Sequence, residues 1–451
     1  MTVIKAATAL LPEGWAQDIC VTIGVDGTIT ALEPAPPDIA VDILLPAPSN
    51  VHSHAFQRAM AGLTETRGPS GRDSFWTWRQ LMFRFLDRLT PADVQAIAAQ
   101  VQVEMLEAGY AACGEFHYLH HQPGGSPYAN LAEMSHAICA AASDSGIGLT
   151  LLPVLYQQGG VDGRALGPGQ IRFGNDPDRF LALREGAGRA LSQLPDDAVL
   201  GTAPHSLRAV TAEALNSLAE TTTGPFHMHL AEQVGEVEEI ASAYGARPVE
   251  WLLDTCPPDR RWCLIHCTQM EPHETAALAQ TGAVAGLCPI TEASLGDGIF
   301  DGVRWLDSGG ALAVGSDSNI RIALSEELRQ LEYSQRLRDR GRAVLAAPGG
   351  STGRRLYEAA ATGGAQAMAR KAGRIAPGQL ADLVALDGSA ADLTGRRGDA
   401  LLDTWIFARD DRLVREVWAA GRHMVRGGRH VARDTVLAGY RACLARLAEA
   451  L

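Results

Sequence analysis

The sequence lacks several features that would direct it to a membrane or to nucleic acid. It has no uninterrupted apolar run of about 18 residues, so no membrane span is predicted. It also lacks an excess of positive charge, because 39 lysines and arginines are outnumbered by 52 aspartates and glutamates. The net charge of -13 argues against a general surface for nucleic acids or anionic membranes, although an arginine pair can still bind a small anion. No signal-peptide pattern opens the chain, and we expect a cytoplasmic protein.

The sequence also lacks cysteine motifs of the kind that bind metals or form redox-active disulfides. The eight cysteines are scattered along the chain and form no C-x-x-C motif. Cys263 and Cys267 lie on either side of His266, but the apolar Leu264 and Ile265 between them predict a buried strand. We therefore expect reduced thiols in the core, which again favours the cytoplasm.

Length and composition are those of a large globular protein. The 451 residues are 46% hydrophobic and 20% charged, and the mean hydropathy is -0.02. These values exclude a disordered, collagen-like or coiled-coil chain. At about 150 residues per domain the length allows three domains, but an α/β barrel of this order can form a single unit.

Both ends of the chain have the pattern of a small β domain. Two short apolar runs flank a turn at Asp26-Gly27, and residues 383–386 and 414–419 repeat this pattern near the other end. We therefore expect one β-sandwich domain assembled from both termini. The expected division is 1–49 and 371–433 for the β domain, 50–370 for the middle domain, and a C-terminal helix over 434–451 that starts at an Asp434 cap.

The middle of the chain alternates predicted strands with predicted helices. Residues 91–107, for example, place apolar side chains at helical spacing. A series of eight strand–helix units predicts a (β/α)8 TIM barrel, whose chemistry lies at the carboxyl ends of the strands. A doubly wound sheet would explain the alternation, but not the polar residues at most strand ends. The eight predicted strands end near His54, His117, Tyr156, His205, His229, His266, Pro289 and Asp317.

Five residues at strand ends form a candidate metal site. His52 and His54 are two apart on a strand, so both side chains leave the same face. His229, His266 and Asp317 each close a separate predicted strand, and zinc accepts such a set of imidazoles and a carboxylate. A single histidine of this kind would be better explained as a core residue bonded to backbone. Four at the strand ends of one barrel favour a metal site.

Glu232 follows His229 by three residues, where a strand gives way to its loop. It can therefore face a metal without binding it. A carboxylate beside a metal-activated water suits hydrolysis at carbon–nitrogen bonds, because it can carry a proton to the departing nitrogen. The alternative is an ordinary loop or helix-capping glutamate.

Several segments together resemble a known family over essentially the whole chain. Asn50–Phe56, His229-x-x-Glu232, His266, Ser316-Asp317 and residues 376–384 resemble the metallo-dependent amidohydrolase superfamily. Within that superfamily, the sequence is similar to the formimidoylglutamate deiminase family. The segments that carry this closer resemblance are His54-Ala55-Phe56-Gln57-Arg58, Phe75-Trp76-x-Trp78-Arg79, Glu115-Phe116-His117-Tyr118, Ala203-Pro204-His205-Ser206-Leu207-Arg208, Leu287-Cys288-Pro289 and Gly315-Ser316-Asp317-Ser318-Asn319.

The resemblance implies a homodimeric zinc enzyme of histidine degradation. It would convert N-formimidoyl-L-glutamate to N-formyl-L-glutamate and ammonia. The implied catalytic residues are Glu232, as proton shuttle, and His266 or Asp317, either of which can first accept the proton of the attacking water. The implied ligands of the single zinc ion are His52, His54, His229 and Asp317.

This substrate would require a dicarboxylate-binding pocket. Arg79 and Arg208 follow the first and fourth predicted strands at the functional face, and guanidinium groups bind carboxylates through forked hydrogen bonds. The resemblance adds Gln57, Tyr118 and His205 as substrate contacts. Either arginine could instead be a solvated surface charge.

Two other functions remain open at this point. A related deaminase acting on a purine or pyrimidine ring would have the same metal ligands, but little use for two arginines. A catalytically inactive barrel with an assembly role would not need an intact ligand set.

Overall fold

The computed structural model describes residues 1–66 and 75–449. Its central part confirms the predicted TIM barrel, in which two groups of parallel strands are joined into a ring. A bridge between Thr202 and Phe226 connects the two groups, and a bridge between Ser53 and Asp317 closes the ring. The barrel strands are β5 (Ser49–Ser53), β6 (Ala112–His117), β7 (Gly148–Leu155), the interrupted pair β8 (Val199–Leu200) and β9 (Ala203–Pro204), β10 (Phe226–Leu230), β11 (Trp262–His266), β12 (Val284–Leu287) and β13 (Ala311–Val314).

Polar side chains tie the first barrel strand to the last. Asn50 Nδ2 donates to Ser316 Oγ at 2.7 Å, and Asn319 Nδ2 donates to Ser53 Oγ at 3.1 Å. Backbone bonds run in both directions across the same boundary: the Asp317 N–H donates to the His52 carbonyl and the His54 N–H donates to the Asp317 carbonyl, both at 2.9 Å. We call this boundary the barrel seam.

Helices surround the barrel, and α2 shows why they form where they do. The predicted helix over residues 91–107 is confirmed: Pro91 occupies the first turn, while Thr90 and Asp93 form a reciprocal capping box. The helices are α1 (Phe75–Leu86), α2 (Pro91–Glu107), α3 (Glu133–Ser145), α4 (Pro177–Leu191), α5 (Ala212–Thr221), α6 (Val234–Tyr244), α7 (Pro248–Thr255), α8 (Pro272–Ala279), α9 (Pro289–Leu295), α10 (Gly302–Asp307), α11 (Leu324–Asp339) and α12 (Thr352–Ala367). None of the helices in the described ranges is long and apolar enough to span a membrane.

Strands from both termini form one eight-stranded sheet beside the barrel, in the order β17-β16-β15-β14-β4-β1-β2-β3. Alternate residues of β4 serve two cores, because Leu44 belongs to a small core of the sheet domain while Ile43 and Leu45 join the main core. The assembly of this domain from both ends is therefore as expected. Its strands are β1 (Thr2–Leu11), β2 (Gly14–Ile23), β3 (Ile29–Ala31), β4 (Ile39–Pro46), β14 (Leu383–Leu386), β15 (Val414–Ala419), β16 (Arg422–Arg426) and β17 (Arg429–His430).

Two further helices, α13 (Ala400–Ala408) and α14 (Arg433–Ala448), complete the fold. The cap predicted for α14 is wrong, because Asp434 lies inside the first turn and pairs with Arg429. The cap position is Ala432, whose N–H donates to His430 Nδ1 at 3.1 Å. The division of the chain after residues 49, 370 and 433 stays a prediction.

Candidate metal centre and cleft

The carboxyl ends of the barrel strands bring together the five residues predicted for metal binding and catalysis. His52 lies on β5 and His54 directly follows it, while His229 lies on β10. His266 is the last residue of β11, and Asp317 follows β13 by three residues. All five side chains are buried.

Four of these side chains form a compact cluster. His52 Nε2 lies 3.1 Å from His229 Nε2, and Asp317 Oδ1 lies 3.3 Å from His54 Nε2. One ligand atom from each of His52, His54, His229 and Asp317 lies within 4.8 Å of all the others. Neighbouring ligands about 2.0–2.1 Å from one zinc ion are about 3 Å apart, whether the ion has four ligands or a water as a fifth, so the two shorter spacings fit one ion.

Hydrogen bonds on the outer side of the cluster orient two of the imidazoles. His54 Nδ1 donates to the Phe116 carbonyl at 2.9 Å, and His229 Nδ1 donates to the His205 carbonyl at 3.1 Å. Each ring then presents the lone pair of Nε2 to the cluster, which is the usual arrangement of metal-binding histidines. Burial lowers the pKa of His54 to about 3 and that of His229 well below its ordinary range, so both rings are neutral. The donor set therefore fits a divalent metal ion.

The loops that follow these strands have strained backbones. His266, Asp317 and Ala231, which lies between His229 and Glu232, have φ angles of 71°, 45° and 50°. Such left-handed conformations cost non-glycine residues about 1–3 kcal/mol each and persist where surrounding contacts enforce them. Their concentration here makes these strand ends a candidate functional site.

Two buried glutamates that the sequence analysis did not single out hold these loops. Glu236 accepts hydrogen bonds from the N–H groups of Ala231 and Glu232, at 3.2 and 3.0 Å. Glu292 Oε1 accepts from His266 Nδ1 at 3.2 Å. Both lie in the first turn of the helix that follows their strand. That position, a carboxylate shortly after a predicted strand end, is the signal that could have identified them.

His266 and Glu232 face each other beside the metal cluster. His266 Nε2 lies 3.8 Å from Glu232 Oε1 and 3.9 Å from Asp317 Oδ2. Burial favours the neutral form of His266, but the charges of Glu232, Glu292 and Asp317 outweigh it and raise its pKa to about 10. Burial also raises the pKa of Asp317 to about 7. The three groups are thus placed to exchange protons across a small gap.

A cleft of about 550 Å³ opens above the cluster and contains all five residues predicted to bind substrate. Gln57 Nε2 donates to the hydroxyl of Tyr118 at 3.0 Å. Arg208 is buried; burial alone would lower its pKa, but Glu236 and nearby acidic groups raise it. The lining also includes Arg79 and His205. The lining therefore combines two kinds of group. We call the acidic, histidine-rich part around the cluster the metal end, and the part formed by Arg79 and Arg208 the arginine end.

Tyr156 is a further polar residue of the cleft that the sequence analysis did not assign. Its hydroxyl oxygen accepts hydrogen bonds from Arg79 Nη2 at 2.8 Å and from Gln170 Nε2 at 2.9 Å. Two donors use both lone pairs, so the hydroxyl hydrogen is left to donate to a ligand. Tyr156 directly follows β7, and this position at a strand end is the signal that could have identified it. Gln170, by contrast, comes from a loop with no such signal.

Comparisons with known proteins agree with this arrangement. The model of the amidohydrolase family matches residues 43–424, and the model of the N-terminal domain of formimidoylglutamate deiminase HutF matches residues 1–39. The chain is 48% identical over 441 residues to formimidoylglutamate deiminase of Pseudomonas aeruginosa, covering 96% of this chain and 97% of that protein. It is 26% identical to a 5-methylthioadenosine/S-adenosylhomocysteine deaminase of Natronomonas pharaonis, covering 78% of this chain and 74% of that protein.

Solved structures give the same result. An amidohydrolase from Brucella melitensis superimposes with a TM-score of 0.93 at 48% identity, covering 99% of this chain and 100% of that one. A zinc-bound adenosine deaminase from Xanthomonas campestris superimposes with a TM-score of 0.82 at 21% identity, covering 99% and 98%, and supports the fold alone. Because the family model spans most of the sequence and the ligand cluster lies at the strand ends of its barrel, the chain belongs to the amidohydrolase family.

Proposed function

We propose that this protein is a zinc-dependent deiminase that hydrolyses N-formimidoyl-L-glutamate to N-formyl-L-glutamate and ammonia in histidine degradation. The observation that carries the proposal is a single cleft whose lining combines a His/Asp metal cluster with two arginines. A dicarboxylate substrate with a hydrolysable C–N bond matches both ends. The 48% identity to formimidoylglutamate deiminase supports the same substrate.

The metal ligands in this proposal are His52, His54, His229 and Asp317, which would hold one zinc ion. Three imidazoles and one carboxylate suit zinc better than magnesium or calcium, which prefer oxygen ligands. When bound, zinc lowers the pKa of a coordinated water to about 7 and so supplies hydroxide near neutral pH.

Protons would be moved by the residues beside the cluster. A bound zinc ion would oppose the carboxylate charges that raise the pKa of His266. His266 or Asp317 could then take up the proton of the attacking water, whose oxygen bonds to the formimino carbon. Glu232, with its Oε1 atom 3.8 Å from His266 Nε2, delivers a proton to the terminal nitrogen of the substrate. The bond between carbon and that nitrogen then breaks, and ammonia leaves with the protons that the water supplied.

The other end of the cleft would set the orientation of the substrate. Arg79 and Arg208 bind its carboxylates, with Gln57, Tyr118 and His205 as further contacts. Binding of the carboxylates in this way directs the glutamate nitrogen away from Glu232 and leaves the terminal nitrogen above the metal cluster. The nitrogen that is protonated is the one that leaves, so the products are ammonia and N-formyl-L-glutamate.

Product analysis tests this assignment. Purified protein with one equivalent of zinc is incubated with N-formimidoyl-L-glutamate, and the products are identified by NMR. Glutamate and formamide as primary products would contradict the deiminase proposal, although not a hydrolase. A panel of nucleobases serves as the control, since turnover there in place of the formimino compound would point to a ring deaminase.

We also propose that the enzyme is a cytoplasmic homodimer. Light scattering of the purified protein tests the oligomeric state, and a monomer at micromolar concentration would contradict it.

A further inference from the structure

A second set of potential metal ligands lies next to the first. His266, Cys288 and Asp317 each offer a ligand atom, and these atoms lie within 4.8 Å of one another. All three residues are buried. The set shares Asp317 with the four-residue cluster, so an ion bound here would be bridged to the first one by a single carboxylate.

The surroundings of His266 suit a metal-binding imidazole. Its Nδ1 donates to Glu292 Oε1 at 3.2 Å, and its Nε2 points toward Asp317, 3.9 Å from Oδ2. A carboxylate that fixes one ring nitrogen while the other faces a ligand cluster is typical of zinc sites in proteins. His266 therefore has the same kind of outer support as His54 and His229, with a carboxylate in place of a carbonyl.

Cys288 adds a soft ligand to this set. It follows β12, and its N–H donates to Glu292 Oε1 at 2.8 Å, so one glutamate supports both Cys288 and His266. Its side chain is a free thiol. Thiolate together with imidazole selects zinc, cobalt or cadmium rather than magnesium or calcium.

Buried carboxyl groups lie beside the second set. Glu292 Oε1 lies 3.2 Å from His266 Nδ1, and Glu232 Oε1 lies 3.8 Å from His266 Nε2. Both glutamates are buried. An ion held by this set would therefore lie near carboxylate oxygens, which attract a cation.

We propose that His266, Cys288 and Asp317 form a second zinc site, weaker than the first, whose occupation inhibits the enzyme. The site is weaker because it offers three ligands, one of them shared, and because the thiol must release its proton to solvent on binding. The inhibition rests on the proposed function, since an ion bound to His266 Nε2 and Asp317 would leave neither residue free to accept the proton of the attacking water. The binding does not depend on that function.

Cobalt provides a probe of binding that is independent of activity. Metal-free protein is titrated with cobalt chloride and followed in the near ultraviolet, where thiolate-to-cobalt charge transfer absorbs. The four-residue cluster contains no sulfur, so the band should appear between the first and second equivalents. Absence of the band in protein that holds two cobalt ions would overturn the proposal.

Variants identify the thiol. In Cys288→Ser the band should be lost, and zinc should inhibit only at concentrations more than about 10-fold higher, measured against that variant's own activity with one equivalent. Cys263→Ser is the matched control, because Cys263 is also buried in the barrel interior but belongs to neither ligand set; it should keep both the band and the inhibition. A band or an inhibition constant unchanged in Cys288→Ser would reject the site.

If Cys288→Ser does not fold, as judged by circular dichroism, His266→Asn replaces it in the binding experiment. This variant should retain the first equivalent of cobalt and lose the second, and retention of both would reject the site.

The outcomes also separate the second-site proposal from the proposed function. A charge-transfer band without deiminase activity in the one-zinc protein would contradict the proposed function alone, whereas activity without the band would contradict only the second site.

Discussion

The two ends of the cleft are built differently. At the metal end, the proposed functional side chains come from strand ends or lie within three residues of them. Hydrogen bonds to backbone carbonyls or a buried carboxylate orient His54, His229 and His266. At the other end, Arg79 lies on helix α1, and a loop residue, Gln170, contacts the Tyr156 hydroxyl that Arg79 also contacts. Under the proposed function, the metal end would determine the reaction and the arginine end would determine which molecule undergoes it.

The largest effect is expected from loss of a metal ligand. His229→Ala should lose bound metal and activity together, because it removes one of the three imidazoles of the proposed ligand set. Elemental analysis and ammonia release measure the two losses. His227→Gln is the control, since His227 lies on the same strand but donates to the Ala367 carbonyl; it should keep its zinc. Full activity of a metal-free His229→Ala protein would contradict the proposed role of the metal end.

A smaller effect is expected when zinc stays bound but the residue that transfers the proton is removed. Glu232→Gln should keep about one zinc per chain and lose about 10²–10⁴-fold in kcat, the usual cost of removing a positioned general acid–base. Glu238→Gln, on the exposed face of α6, is the matched control and should behave as wild type. A normal kcat for Glu232→Gln would make this residue structural.

The arginine end of the cleft is tested by Arg208→Met. This change should raise KM by about 10–100-fold with a smaller change in kcat, because a charge-assisted hydrogen bond worth about 1.5–3 kcal/mol is made in both ground and transition states. Arg189→Met removes an exposed guanidinium from α4 and should leave KM unchanged. Equal kcat/KM of the wild type for N-formimidoylglycine and N-formimidoyl-L-glutamate would reject a dicarboxylate-binding end.

Tyr156→Phe should have the smallest effect. It removes one neutral donor and one acceptor for Arg79, and a hydrogen bond of about 0.5–1.5 kcal/mol corresponds to an increase in KM of about 2–10-fold. The increase should be larger for the dicarboxylate than for N-formimidoylglycine. The same change for both substrates would mean that Tyr156 does not contact the second carboxylate.

The difference between the two ends also explains how much could be predicted from the sequence. Strand periodicity places His52 and His54 on one face, and the barrel pattern places His229, His266 and Asp317 at one rim, so the metal cluster follows from local spacing. Glu236, Glu292 and Tyr156 follow their strands closely, but their spacing does not specify a partner. Contacts between distant segments, such as that of Gln170 with Tyr156, depend on loop conformations that no local pattern encodes.

The α14 cap failed for a different reason. An aspartate ahead of an apolar helical pattern is a good cap signal, but a competing local contact can replace it. Here Arg429 binds the carboxylate of Asp434, and His430 Nδ1 accepts a hydrogen bond from the N–H of Ala432, the residue at the cap position.

The barrel seam determines when this protein can first become an enzyme. His52 and His54 come from the first barrel strand and its end, and Asp317 follows the last strand. More than 260 residues of chain therefore separate the proposed ligands of one ion. On the ribosome, the ligand set stays incomplete until the last strand has emerged and paired with the first. An ion that binds only the closed ring adds its binding free energy to ring closure. The stability of the closed barrel therefore depends on the concentration of the metal ion. Nascent or truncated chains that end before Asp317 would contain three of the proposed ligands but no complete metal centre. Such incomplete chains should therefore have no hydrolase activity.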